Sequence, residues 1–319
     1  MRLGHLWLLS MALSFLAQNT HALDSVIAPK AVRSLALDVA RLNEHHYLAV
    51  GERGHILLSN DDGKTWQQKV APTRATLTSI AQTKDHLFVG GHDGILLLSS
   101  DKGETWKLVR EQPDEEKPVL DVLFLDDKLG FAVGAYGLFL KTTDGGYRWL
   151  TQDHPELEIP DFGFPHLYQM QRLNDGTLVV IGEAGFIARS TDAGDTWTRI
   201  ALPYEGTLFA LGQTSSGVLV VAGMRGNIFR SEDLGATWEN IDVDIRSGLN
   251  HMIFEHDQLV IGGMDGMLLV SDASAKDFRL VQRANRKAVS ASALLDNQQA
   301  LVAAEDGVHI VSLQSTVKE

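Results

Sequence analysis

Residues 87–106 read LFVGGHDGILLLSSDKGETW, and two turns divide them. Leu87-Phe88-Val89 is a short apolar strand followed by Gly91-His92-Asp93-Gly94. Ile95-Leu96-Leu97-Leu98 is a second, followed by Ser99-Ser100-Asp101-Lys102-Gly103-Glu104-Thr105-Trp106. The twin glycines permit positive φ in a hairpin turn, a conformation most side chains resist. In the second turn the Asp carboxylate can accept turn N–H groups, Gly lets the backbone reverse, and Trp packs between neighbouring sheets. Strands that are apolar on both faces are covered on both faces, as when sheets stack. With a strand at 77–81 before the segment and one at 105–109 closing it, the unit is four antiparallel strands.

The unit repeats. GxxG turns start at Gly51, Gly91, Gly134, Gly182, Gly223 and Gly263, and a worn copy, Ala304-Glu305-Asp306-Gly307, follows. Successive starts lie 40, 43, 48, 41, 40 and 41 residues apart. The second turn recurs with Asp61 and Trp66, Asp101 and Trp106, Asp192 and Trp197, and Asp233 and Trp238; Asp144 with Trp149 is weaker, and 271–278 is degraded. A period near 40 with four short strands per unit predicts an all-β fold, a seven-bladed propeller of four-stranded antiparallel blades. The repeated Asp and Trp residues are read as turn structure, because a catalytic site is one place and not five.

The ends carry different messages. Arg2, an apolar run over 6–17, and Thr20-His21-Ala22 read as a cleaved secretory signal over residues 1–22. The run is too short to span a bilayer. The propeller is expected over 23–313 and a tail over 314–319. The last unit, 289–313, supplies only three strands, so residues 24–28, which resemble the exit of the first unit at 68–72, are predicted to complete the seventh blade and close the ring.

The chain of 319 residues has no Cys, which excludes disulfides, thiolate metal sites and a thiol nucleophile. Its net charge of −13 argues against nucleic acid as a partner. No cofactor or metal is expected: His251-Met-Ile-Phe-Glu255-His256 has neither the spacing nor the helix of a zinc motif. There is no G-x-S-x-G and no phosphate loop.

The S-x-D-x-G-x-T-W turn is the Asp box, or BNR repeat, and its regular pairing with GxxG after a signal sequence resembles the photosystem II stability/assembly factor-like family over residues 24–313. The resemblance implies a non-catalytic exported scaffold that binds a membrane protein or a subunit of a membrane complex and assists its assembly. It is expected to be a monomer without a membrane span, in the periplasm, or in the thylakoid lumen of a photosynthetic host. In a non-photosynthetic bacterium the partner could be a transporter of the resistance–nodulation–division type. The alternative is a carbohydrate-active propeller, sialidase-like hydrolase or lectin, with Tyr136 and Glu183 as its conceivable pair; the Arg-Ile-Pro motif of sialidases is missing.

Strand order puts the Asp boxes at one end of the blades and the GxxG turns with the longer loops at the other. That second face is the candidate binding surface. Its first candidates lie in the 151–168 insertion and beside it: Tyr136, Phe162, Phe164, His166 and Tyr168. The second set is basic, Arg53, Arg225, Arg246, Arg283 and Arg286, able to grip a carboxylate or acidic tail.

Overall fold

The computed structural model describes residues 23–314; the expected signal over 1–22 and residues 315–319 of the expected tail lie outside them. Seven antiparallel sheets follow one another in chain order. Blade 1 is Ala36–Arg41, Tyr47–Gly51, Ile56–Ser59 and Gln67–Lys69, and five more four-stranded blades repeat that pattern, the sixth ending at Arg279–Gln282. The seventh has three strands, Val289–Leu294, Gln299–Ala304 and Gly307–Ser312. This is the seven-bladed propeller predicted from the repeats.

The apolar core is divided among seven seams. Each seam gathers second- and third-strand side chains of two neighbouring blades, such as Val50, Ile56 and Leu58 against Leu87, Val89 and Leu97. One residue from the following blade fills each: Trp106, Trp149 and Trp197, with Trp66 and Trp238 half-buried. Where the box has decayed Phe278 substitutes, and the seam between blades 6 and 7 takes Leu313. A two-faced apolar strand therefore buries both faces against different neighbours.

The ring closes differently from the expectation. Residues 24–28 do not form the fourth strand of blade 7. They run antiparallel to the outer edge of blade 1, where Ser25 N–H donates to Ala71 O (2.8 Å) and Ala71 N–H to Ser25 Oγ (2.9 Å). Gln68 takes the place of a backbone partner: its Oε1 accepts Ala28 N–H (2.8 Å) and its Nε2 donates to Val26 O (2.9 Å). The seam between blades 7 and 1 is closed by side-chain packing instead. Ala31 is buried there with Val39, Leu301 and Val308, and the Val32 carbonyl lies where a side chain on Gly307 would sit.

Polar side chains of the innermost strands lace the ring from blade to blade. Asp38 accepts Ile80 N–H (2.7 Å), Thr78 donates to Val119 O (2.7 Å), and Asp121 accepts Met170 N–H (2.8 Å). Gln169 accepts Leu211 N–H (2.7 Å), Asn250 donates to Val289 O (3.3 Å), and Arg41 reaches back to Leu294 O and Leu295 O. All but Arg41 border a central cavity of about 280 Å³.

Candidate functional site

The GxxG turns shape the candidate face. The first glycine is extended, not left-handed as expected; Gly51 has φ −176°. It is required because a Cβ there would lie 2.0 Å from Leu35 O. The left-handed pair is the third residue and the second glycine, as at Arg53 (φ 58°) and Gly54 (φ 69°). Asp93, Tyr136, Ala184, Arg225 and Asp265 share that conformation. The turn holds these side chains in a backbone region costly to non-glycine residues. Tyr136 is the aromatic among them, and it is 57% exposed.

The 151–168 insertion sorts its side chains by depth. Leu157 is buried in the seam between blades 3 and 4, and His154 packs edge-on against Phe139 at 4.6 Å. A short bridge between Ile159 and Gly163 turns Phe162 outward, 54% exposed. Phe164 lies against Gly137, whose N–H donates to Pro165 O (2.9 Å). The insertion is thus both a seam cover and an exposed aromatic ledge.

Tyr136 and Phe164 border a groove of about 390 Å³ with Glu115, Lys117, Asp153 and His154. The other aromatics lead away from it. Tyr136 meets His166 edge-on at 4.5 Å, His166 approaches Tyr168 at 6.2 Å, and Tyr168 packs on Phe209 at 4.8 Å beside the central cavity. Burial first, then the Glu183 charge, pushes the Tyr168 phenol up. Glu183 accepts the His166 backbone N–H (2.8 Å) and lies 3.9 Å from its Nδ1. Tyr136 and Glu183 therefore meet His166 from two sides, and no hydrogen bond joins them among the described residues.

The arginines are not equivalent. Arg53 stands free of the surface apart from its neighbour Glu52 at 3.8 Å, and Arg225, Arg246 and Arg286 are exposed. Arg283 is buried: its guanidinium bonds Asp306 (2.9 and 3.3 Å) and Lys287 O (2.9 Å). That corrects its place among the gripping residues, because its donors already serve the turn of the worn seventh repeat.

At the opposite end the Asp boxes form closed hydrogen-bond sets. Asp233 accepts Thr237 N–H (2.8 Å), Thr237 Oγ1–H (2.6 Å) and Ser231 Oγ–H (2.7 Å), and Gly235 N–H donates to Ser231 Oγ (2.8 Å). The Thr237 hydroxyl and N–H, with Ser231, bring the Asp233 carboxyl down to about 2. Asp61, Asp101 and Asp192 repeat this bonding, and Asp144 repeats it without the threonine hydroxyl, since Arg148 stands there. The indoles of Trp66, Trp106 and Trp149 donate to the box glycine carbonyls at 3.0 Å.

Among the described residues no three His, Asp or Glu side chains gather as a metal site. His251 points to neither Glu255 nor His256 for ligation: it borders the central cavity, while Glu255 accepts Leu294 N–H (3.2 Å). Sequence reasoning missed His154 and Gln68, and the two cavity carboxylates Asp38 and Asp121. None of them belongs to a repeated motif.

The family model described as photosynthesis system II assembly factor YCF48 matches residues 25–114 and 110–241. A stretch of 101 residues is 35% identical to the photosystem II assembly lipoprotein Ycf48 of Synechococcus sp. (strain CC9902), covering 30% of this chain and 29% of that protein. Over 91 residues the chain is 31% identical to the chloroplastic photosystem II stability/assembly factor HCF136 of Oryza sativa subsp. japonica, covering 26% and 20%. These matches span less than a third of the relatives' length. The solved structure of YCF48 bound to D1 peptide superposes with a TM-score of 0.72 at 17% identity, over 89% of this chain and 95% of that one, a likeness of fold. With the family model matching most of the propeller, this chain belongs to the photosystem II assembly factor YCF48 family.

Proposed function

We propose that the chain is a non-catalytic scaffold whose GxxG face docks a segment of a membrane protein and assists assembly or stability of its complex. The observation that carries this reading is the aromatic ledge of Tyr136, Phe162 and Phe164, exposed together on a rigid ring. Large aromatics held at low conformational cost are the usual anchors of protein interfaces. Family membership supports it, as does the solved structure of YCF48 bound to D1 peptide. The exposed arginines Arg53 and Arg225 would flank the anchor. In this reading the signal over 1–22 exports the protein to the periplasm, or to the thylakoid lumen of a photosynthetic host. A resistance–nodulation–division transporter is the partner we would look for first in a non-photosynthetic bacterium.

Cross-linking in intact membranes followed by affinity capture tests it. Wild type is expected to retain one membrane protein at near-stoichiometric yield, and the triple variant Tyr136→Ala/Phe162→Ala/Phe164→Ala to lose most of it. Undiminished capture by the folded triple variant refutes docking at this face.

A further inference from the structure

Blade 7 stops one strand short of the others. Its last strand, Gly307–Ser312, pairs on one side with Gln299–Ala304, and among the described residues no strand covers the other side. Blade 6 shows what belongs there. Gly266 O accepts Arg283 N–H (2.9 Å), and the ladder then turns the outer N–H and C=O groups of Leu268 and Val270 to Val281 and Arg279. Leu268 pairs with Gly262, the residue before its GxxG turn, just as Val308 pairs with Ala303. Val308 and Ile310 therefore hold the matching outward positions. Among the described residues no hydrogen bond joins their outer groups to another segment. Val308 is buried in the seam with Ala31, whereas Ile310 is 40% exposed and Ser312 is exposed.

The strand is composed as an interior one. The outermost strands of the other blades are two to four residues long, and all but Leu150–Thr151 carry a charged residue. Both features blunt an exposed edge. Gly307–Ser312 is six residues long and has no Lys, Arg, Asp, Glu or Pro. Beside Ile310 lies a groove of about 430 Å³, walled by Arg41, His45, Asp62, Lys64 and Asp296 among others. Those charges largely answer groups of the protein itself: Arg41 reaches Leu294 O and Leu295 O, Asp62 meets His45 (3.0 Å) and Lys64 (3.9 Å), and Asp296 accepts Gln299 N–H (2.8 Å). What the edge offers an incoming chain is backbone and an aliphatic side chain.

The geometry points to this edge as a strand-addition site, separate from the GxxG face. An extended segment of another protein pairs antiparallel with Gly307–Ser312 as the fourth strand of blade 7. Residues that pair through hydrogen bonds across a ladder carry their side chains on the same face. The segment therefore sets a β-branched apolar residue against Ile310 and repeats it at alternate positions, and charge does not select it. A second copy of the chain fits less well. The edge is a strip about 20 Å long and one strand wide, which alone falls short of the roughly 1,200 Å² that a stable interface buries. The groove alongside is a recess that receives a single strand, and two blade edges meeting would leave it unfilled.

The test uses a fluorescein-labelled peptide, Gly-Thr-Val-Thr-Val-Thr-Gly, titrated by anisotropy against the whole chain. It is expected to bind with little dependence on salt, and Ile310→Lys to weaken it about tenfold or more. Two modified peptides read the ladder directly on the wild-type chain. N-methylation of the valines removes the N–H groups that face Ile310 and is expected to weaken binding as much as Ile310→Lys does. N-methylation of the threonines, whose N–H groups face solvent, is expected to leave binding within about twofold. If Ile310→Lys does not fold, the two modified peptides decide alone. The triple variant Tyr136→Ala/Phe162→Ala/Phe164→Ala is expected to bind the peptide as wild type does, which keeps this test apart from that of the docking face. No binding at about 1 mM, equal loss with both modified peptides, full binding by folded Ile310→Lys, or loss in the triple variant overturns the site. Sedimentation that shows wild type pairing with itself and Ile310→Lys staying single assigns the edge to a second copy, and overturns the proposal as well.

Discussion

At the scale of single residues, the Asp box shows how one carboxylate closes a turn. Asp233 sits at the surface, yet both its oxygens are occupied by donors from Ser231 and Thr237. Those donors favour the ionised form, so the carboxyl titrates near 2 in place of the ordinary 3.8. A depressed native pKa contributes stability above the unfolded-state value and loses it as pH falls through the native one. We therefore expect Asp233→Asn to melt a few degrees below wild type at pH 5. The gap should narrow as pH falls through about 2, where the wild-type carboxyl itself takes up a proton. Paired thermal melts across that range check it, and a gap that stays constant with pH contradicts the carboxylate's role. At the same scale, Leu313 stands where the other seams carry an aromatic, so the last seam has lost a tryptophan without losing its plug.

At the scale of elements, the chain's two ends divide the work of closure. Residues 23–27 add hydrogen bonds to the rim of blade 1 and leave Leu23, Val26 and Ile27 exposed, whereas Ala31 is buried in the seam between blades 7 and 1. Removing 23–27 is expected to cost about 1 kcal/mol, since the freed groups of Gln68 and Ala71 can bond water. Removal through residue 33 uncovers the seam and is expected to cost on the order of 3 kcal/mol. Denaturant unfolding of both truncations tests this, and equal losses would show that the rim segment is the real clasp. The sequence showed the blades clearly because GxxG and the Asp box recur as short contiguous motifs, and the box's bonding partners lie within four residues. The seat of the N-terminal segment on blade 1 was not legible for the opposite reason. It depends on the Gln68 side chain imitating a strand 40 residues away, which no repeat announces. Arg283 misled likewise, because its partner Asp306 comes from the next blade. The insertion was legible only as a whole; which of its residues face inward follows from Leu157 reaching a seam.

At the scale of the whole molecule, the ring is held by seams outside and by polar laces around the cavity, and the laces carry a cost. Asp38 and Asp121, which no repeated motif marks, each bridge two blades beside the central cavity. Desolvation pushes Asp38 up to about 7, partly offset by the N–H groups of Ile80 and Val39 and helped by the charge of Asp121. Asp121 is pushed up to about 6 by the same desolvation. Folding therefore favours the protonated acids: their contribution is fully present below the unfolded value near 3.8 and is lost as pH rises through 6 to 7. We expect the propeller to lose stability between pH 4 and pH 7 on their account, opposite in direction to the Asp boxes, which gain over the acid range. Asn at position 38 keeps an acceptor for Ile80 N–H without the charge. Asp38→Asn should consequently flatten the decline, falling below wild type at pH 4 if it packs less well but losing less towards pH 7. Urea unfolding at several pH values measures both slopes. Parallel slopes for the two proteins would mean that Asp38 is charged at no cost, and that water in the central cavity solvates the ring's laces as well as bulk solvent does.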